Sequence, residues 1–159
     1  MENSVALIGS FKQFYKYVIE AISIFKKMNI QVTSPAGTDI IENGISFVRF
    51  TSDNSKLSDE LVQTVTLKRI FKATVVYVVA PDGYVGRTTC YEIGRIIQKR
   101  KPIYFSERPN DLPVQIPKSH ILNPEQLSKL ILKNGIYWPF EYNSCKLAHE
   151  ERQIVNFSI

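Results

Sequence analysis

Residues 75–80, Val75-Val76-Tyr77-Val78-Val79-Ala80, are apolar without a break and stop at Pro81-Asp82-Gly83, a plain turn signal. A strand with one wet face alternates polar and apolar side chains. An unbroken apolar run rich in valine belongs to a strand covered on both faces. Covering both faces takes helices on each side of a mainly parallel sheet, so this segment by itself predicts an α/β domain.

The flanking sequence fits that expectation. Val5-Ala6-Leu7-Ile8, closed by Gly9-Ser10, predicts a second buried strand. Phe14, Tyr17, Val18, Ala21, Ile22, Phe25 and Met28 then follow the helical period, with Lys26 and Lys27 suited to the negative C-terminal end. Gln31 to Ser34, before Pro35, predicts another strand and completes a βαβ-like unit. Ile45 to Phe50 reads as an edge or hairpin strand, and Thr51 to Ser58 as a turn. Ser58 or Asp59 is the expected cap of a helix running to about Lys72. Thr88 or Thr89 is the expected cap of the next helix, which buries Ile93, Ile96 and Ile97. Pro102 to Phe105 predicts a strand, and four prolines between residues 109 and 124 mark an irregular link with a short edge strand near His120-Ile121-Leu122. Asn123-Pro124-Glu125-Gln126 is a capping-box helix start, and Asn134-Gly135 a helix stop. The expected architecture is a three-layer α/β domain with a mainly parallel five-stranded sheet over residues 1–135. Residues 136–159, with Tyr137-Trp138-Pro139-Phe140 and a polar helix-like stretch, form an expected C-terminal appendage.

A length of 159 residues suits one domain. No apolar run reaches the ~18 residues of a membrane span. The start MENSVALIGS lacks a basic leader pattern, and two cysteines make no disulfide framework, so a cytoplasmic setting is expected. His120, His149, Cys90 and Cys145 show no metal-ligand spacing, and no metal or cofactor is expected. The net charge of +5 favours anionic partners, but its densest group, Lys99-Arg100-Lys101, reads as a solvated helix end rather than a nucleic-acid patch.

In open α/β sheets ligands bind beyond the carboxyl ends of the strands. Three segments qualify. Gly9-Ser10-Phe11-Lys12 joins a strand to a helix start and suits an anion, although it lacks GxGxxG and the P-loop lysine pattern; Ser10 as a plain helix cap is the alternative. Pro81 to Thr89 carries a carboxylate (Asp82), glycines (Gly83, Gly86), a phenol (Tyr84), a guanidinium (Arg87) and hydroxyls (Thr88, Thr89). Ser106 to Asp111 is the third. Glu92 follows in the first turns of the helix after the second segment. The positive end of that helix is expected to keep it ionised, as a nucleophile or base; simple helix-end stabilisation is the alternative.

PDGYVG at 81–86, Glu92-Ile93-Gly94, Lys101 to Tyr104 and the opening ALIGSFK together resemble the nucleoside 2-deoxyribosyltransferase-like family over roughly residues 5–112. The stretch Asp82 to Glu92 is the specific part. The resemblance implies a flavodoxin-like or Rossmann-like fold. It also implies transfer or hydrolysis at the N-glycosidic bond of a nucleoside or nucleoside monophosphate, with Glu92 as nucleophile. Gly9, Ser10 and Phe11 would lie against the sugar or a 5′-phosphate, with Gly83, Tyr84, Gly86, Arg87, Thr88 and Thr89 supplying the other side of the site. Better-known members carry an aspartate in an Ala-Asp pair where this chain has Ala73-Thr74. Asp82 is then the carboxylate left to act as acid or to bind a sugar hydroxyl. The resemblance further implies a homodimer or higher homo-oligomer, with the tail near the partner's cleft. The alternatives are a catalytically silent nucleotide-binding module and a protein-interaction module on the same fold.

Overall fold

The computed structural model describes residues 3–37, 40–41, 49–50, 56–142 and 145–156. Its elements in chain order are β1 (Ser4–Gly9), α1 (Phe11–Lys27), β2 (Gln31–Ser34), β3 (Ile40–Ile41), β4 (Arg49–Phe50), α2 (Asp59–Lys72), β5 (Val75–Val79), α3 (Arg87–Gln98), β6 (Ile103–Phe105), α4 (Pro124–Leu132) and α5 (Lys146–Asn156). Four strands make a sheet in the order β2-β1-β5-β6, with every pair parallel. β3 and β4 form a separate antiparallel pair. The rest of the expected 45–50 strand and the turn at Asp53-Asn54-Ser55 lie outside the described residues.

β5 is the inner strand that the apolar run predicts, and all five of its residues are buried. Its side chains divide by parity. Val75, Tyr77 and Val79 join α1 and α4 on one face, packed with Val18, Ile22, Phe25, Leu127 and Ile131. Val76 and Val78 join α2 and α3 on the other, packed with Leu67, Ile70, Ile93 and Ile96. Neighbouring β1 divides the same way, Val5 and Leu7 against Ala6 and Ile8. Period-2 geometry thus serves two cores with one strand.

The expectation of five strands is corrected to four. The fifth place, beside β6, holds a single parallel bridge between Phe105 and Ile121. A short 3-10 turn at Lys118–His120 precedes it and the Asn123 cap of α4 follows, so the chain has no length left for a ladder. The capping box at Asn123 and Gln126 forms as the sequence predicts, and Ser58 caps α2 by accepting from the Leu61 N–H. The cap of α3 is corrected: Gly86 occupies it without a side-chain bond, and Thr88 and Thr89 lie inside the helix.

The tail is part of the second core. Trp138, Phe140, Ala148 and Val155 belong to the cluster that holds α2 and α3. Trp138 and Phe140 meet edge to face at 5.1 Å, and Arg100 lies 5.8 Å from the Trp138 ring centre. At the sheet edge the buried His120 stacks on Tyr104 at 4.4 Å, and the Tyr104 hydroxyl accepts from the Tyr137 N–H. Burial pushes the His120 pKa down, which favours the neutral ring in this aromatic setting. Among the described residues, no helix is long and apolar enough to cross a membrane.

Because Phe140 is fully buried, Phe140→Ala is expected to cost about 3–5 kcal/mol and to lower Tm by roughly 6–20 °C. Thermal unfolding followed by circular dichroism checks this; an unchanged Tm would show that residues 136–142 are detachable from the core.

Candidate functional site

The carboxyl ends of β1, β5 and β6 meet at one rim. β1 ends at Gly9, opposite Val79, and a Cβ on Gly9 would stand 2.6 Å from the Val79 carbonyl oxygen. Only glycine allows the two strands to run this close at the point where the first loop leaves the sheet. Ser10 caps α1 through its backbone alone: its carbonyl accepts from the Gln13 and Phe14 N–H groups, and its hydroxyl makes no capping bond. Phe11 opens the helix beside it and is partly buried against the first core.

The loop after β5 is shaped by its own backbone. Pro81–Gly83 forms a 3-10 turn in which Asp82 and Gly83 both take positive φ, 56° and 73°. A Cβ on Gly83 would sit 2.6 Å from the Arg108 carbonyl oxygen, so the loop after β6 closes directly on this turn. Asn110 fastens the two loops. Its backbone N–H donates to the Gly83 carbonyl at 2.9 Å and its side-chain amide donates to the Asp82 carbonyl at 2.8 Å. Ser106 adds a third tie by accepting from the Ala80 N–H at 2.8 Å. On the other side, the Tyr84 ring meets Phe14 of α1 at 5.7 Å and remains 39% exposed. The rim therefore joins the first and second predicted loops through an aromatic pair, and the second and third through hydrogen bonds.

The predicted site residues divide in depth. Asp82, Tyr84 and Arg87 are exposed, Gly9, Ser10, Phe11, Gly86 and Thr88 are half-buried, and Gly83 and Thr89 are buried. Glu92 lies deeper, five residues into α3 and so about 8 Å along its axis, and is only 6% exposed. Its Oε1 accepts a 2.8 Å hydrogen bond from the Gln63 side-chain amide of α2. Among the described residues, no hydrogen bond or ion pair joins Glu92 to Asp82, Ser10 or Arg87.

Burial pushes the Glu92 pKa up to about 7, against the opposing pull of the Gln63 hydrogen bond. This corrects the expectation that the helix end keeps the group ionised. The field of a helix terminus fades within its first turn, and Glu92 is past it. Desolvation in the second core outweighs what remains. A buried carboxyl without an ion pair among the described residues, pushed up toward neutrality, marks a candidate functional group.

Thr74 stands at the start of the central strand, as the sequence places it. It precedes β5, so five residues of strand place it about 16 Å from the rim. There Ser4 Oγ accepts from its backbone N–H at 3.0 Å and lies 3.1 Å from its hydroxyl. Whatever residue stood at position 74, it would be at the opposite end of the sheet from Pro81–Gly86. At that end too, a cavity of about 360 Å³ is lined by Phe71, Lys99, Arg100, Lys101 and Pro102.

Gln63, Ser106 and Asn110 are absent from the sequence-based site. Gln63 had a readable signal. With Leu67 and Ile70 it stands at i, i+4 and i+7, so a polar side chain occupies the core-facing register of α2. Ser106 and Asn110 lie in the third predicted loop, but their ties depend on contacts distant in sequence. Among the described residues, no group of histidine, cysteine, aspartate and glutamate is placed to hold a metal ion. Burial and the charge of Asp111 push the Cys90 thiol up, so it stays protonated near neutral pH.

No protein-family model matches the chain, and no curated protein matches it. Among solved structures, one similar chain is a conserved protein from Enterococcus faecalis V583, with a TM-score of 0.48 and 10% identity. The match covers 66% of this chain and 63% of that one.

The unfolded chain releases the Glu92 proton near 4.5 and the folded chain near 7, so the folded state loses stability as pH rises through that window. Glu92→Gln, which has no proton to lose, is expected to gain on the wild type between pH 4 and pH 8 by up to about 3 kcal/mol. Urea unfolding at a series of pH values checks this; a difference that does not vary with pH would place the carboxylate in water-like surroundings.

Proposed function

We propose that the chain acts on the N-glycosidic bond of a nucleoside or nucleoside monophosphate, as a transferase or hydrolase with Glu92 as nucleophile. The observation that carries the reading is Glu92 itself, a carboxyl buried in the second core with no ion pair among the described residues and a pKa raised to about 7. Support also comes from the order β2-β1-β5-β6, the beginning of a flavodoxin-like or Rossmann-like arrangement whose ligand crevice lies at the carboxyl rim.

In this reading the ionised Glu92 attacks the anomeric carbon as the carbon–nitrogen bond to the base breaks. A glycosyl ester forms, and water or a second base then displaces the glutamate, as in retaining glycoside chemistry. The carboxylic acid form of Asp82, the other carboxyl of the specific motif, gives the departing base its proton, and the ionised form accepts a hydrogen bond from a sugar hydroxyl instead. Gly9, Ser10 and Phe11 contact the sugar or its 5′-phosphate. Gly86 gives the ligand access to the backbone, Gly83 shapes the closed turn that carries Tyr84, Thr88 offers a hydroxyl with Thr89 buried behind it, and Arg87 suits a phosphate through paired hydrogen bonds. Tyr84, with Phe14 behind it, offers a stacking surface to the base. The reading includes a cytoplasmic homodimer or higher homo-oligomer and needs no cofactor.

A second reading, a nucleotide-binding module without turnover, is favoured by the spacing of the acids. Asp82 is exposed on the loop and, among the described residues, no hydrogen bond joins it to the buried Glu92.

Base release from a panel of ribo- and deoxyribonucleosides and their 5′-monophosphates, followed by chromatography, separates the two. Glu92→Ala is expected to lose on the order of 10⁴-fold, and Asp82→Asn about 10²–10⁴-fold. The wild-type rate is expected to rise with pH through about 7 as Glu92 loses its proton. Binding without product from any member of the panel would establish the silent module instead.

A further inference from the structure

The amide that holds Glu92 is itself incompletely satisfied. Gln63 donates through Nε2 to Glu92 Oε1, yet Gln63 Oε1 is buried with no hydrogen-bond partner among the described residues. A buried acceptor left open costs the desolvation of that group. The group joined to this amide carries a second oxygen of its own, Glu92 Oε2. An amide and a carboxylic acid can close a ring of two hydrogen bonds, N–H to one carboxyl oxygen and O–H back to the amide carbonyl. A carboxylate cannot, because it has no proton to donate.

We infer that Gln63 and Glu92 form a proton-linked acid–amide pair that regulates the candidate site. When the carboxyl is protonated, its O–H donates to Gln63 Oε1, both carboxyl oxygens are engaged, and the group is closed to a ligand. When the proton leaves to solvent, Oε1 keeps the Gln63 N–H bond and Oε2 is released for a ligand. Gln63 is thus a positioning residue. The inference deepens the proposed function, on which its meaning for turnover rests; the pairing itself does not need that function.

The surroundings leave the switch to these two groups. On this side of the sheet the strands offer Ala6, Ile8, Val76, Val78 and Ala80, all apolar. The charged residues of α2 (Asp59, Glu60, Lys68, Arg69, Lys72), Arg87 and Arg95 of α3, Lys12 of α1 and Asp82 of the loop make no ion pair with Glu92. Burial and the Gln63 bond are the two causes that act on its titration.

The test reads protonation rather than turnover. In the full chain carrying ¹³C-labelled side-chain carbonyls, the Glu92 carboxyl is expected to titrate near 7. The Gln63 side-chain carbonyl resonance is expected to move with the same midpoint and to become flat in Glu92→Gln. Gln63→Leu keeps side-chain volume and removes both bonds. Its protonated carboxyl band in difference infrared spectra is expected to move to the higher frequency of an unbonded acid. A Gln63 carbonyl that ignores pH while Glu92 titrates, or an infrared band unmoved in Gln63→Leu, overturns the pairing. A chain that titrates as described but leaves every nucleoside intact refutes the proposed activity and not the pair.

Discussion

The close approach of β1 to β5 at the rim holds the rest in place. Gly9 lies against Val79 at a distance that no side chain tolerates. That contact sets the exit of the first loop beside the exit of the second, and the second is in turn bound to the third by Asn110 and Ser106. Three chain segments far apart in sequence become one rim because two strands run close enough for their loops to meet. The aromatic pair Phe14–Tyr84 spans the remaining gap from α1.

The sheet was legible because its signals are local. An unbroken apolar run, a βαβ unit with a clean helical period and a capping box at Asn123 each declare themselves within a few residues. What misled was competition between neighbours. Residues 120–122 have a strand-like composition, but the proline before the short turn and the cap of α4 leave room for one bridge only. At α3 two threonines look like caps, yet Gly86 takes the position because the incoming loop already supplies an extended backbone there.

The site was half legible. Loop composition marked Asp82 to Glu92, and the register of α2 held an unused sign of Gln63, but burial could not be read from either. Glu92 belongs to the inner stripe of α3 along with Ile93, Ile96 and Thr89, all of them buried. Its environment is therefore set by the second core, while Asp82, ten residues earlier, stands in solvent on a left-handed turn. Two carboxyl groups of one short motif end in media of very different polarity. That difference separates their chemistry more than their spacing in sequence does.

The same core is closed by residues far along the chain. Trp138 and Phe140 fill the face that holds α2 and α3, and Tyr137 fastens to the sheet edge through Tyr104. On the ribosome, all four strands of the sheet are synthesised before either ring emerges. The nascent domain accordingly exposes one greasy side for the time taken to add some thirty residues after β6, and it is in that interval that a chaperone has something to hold.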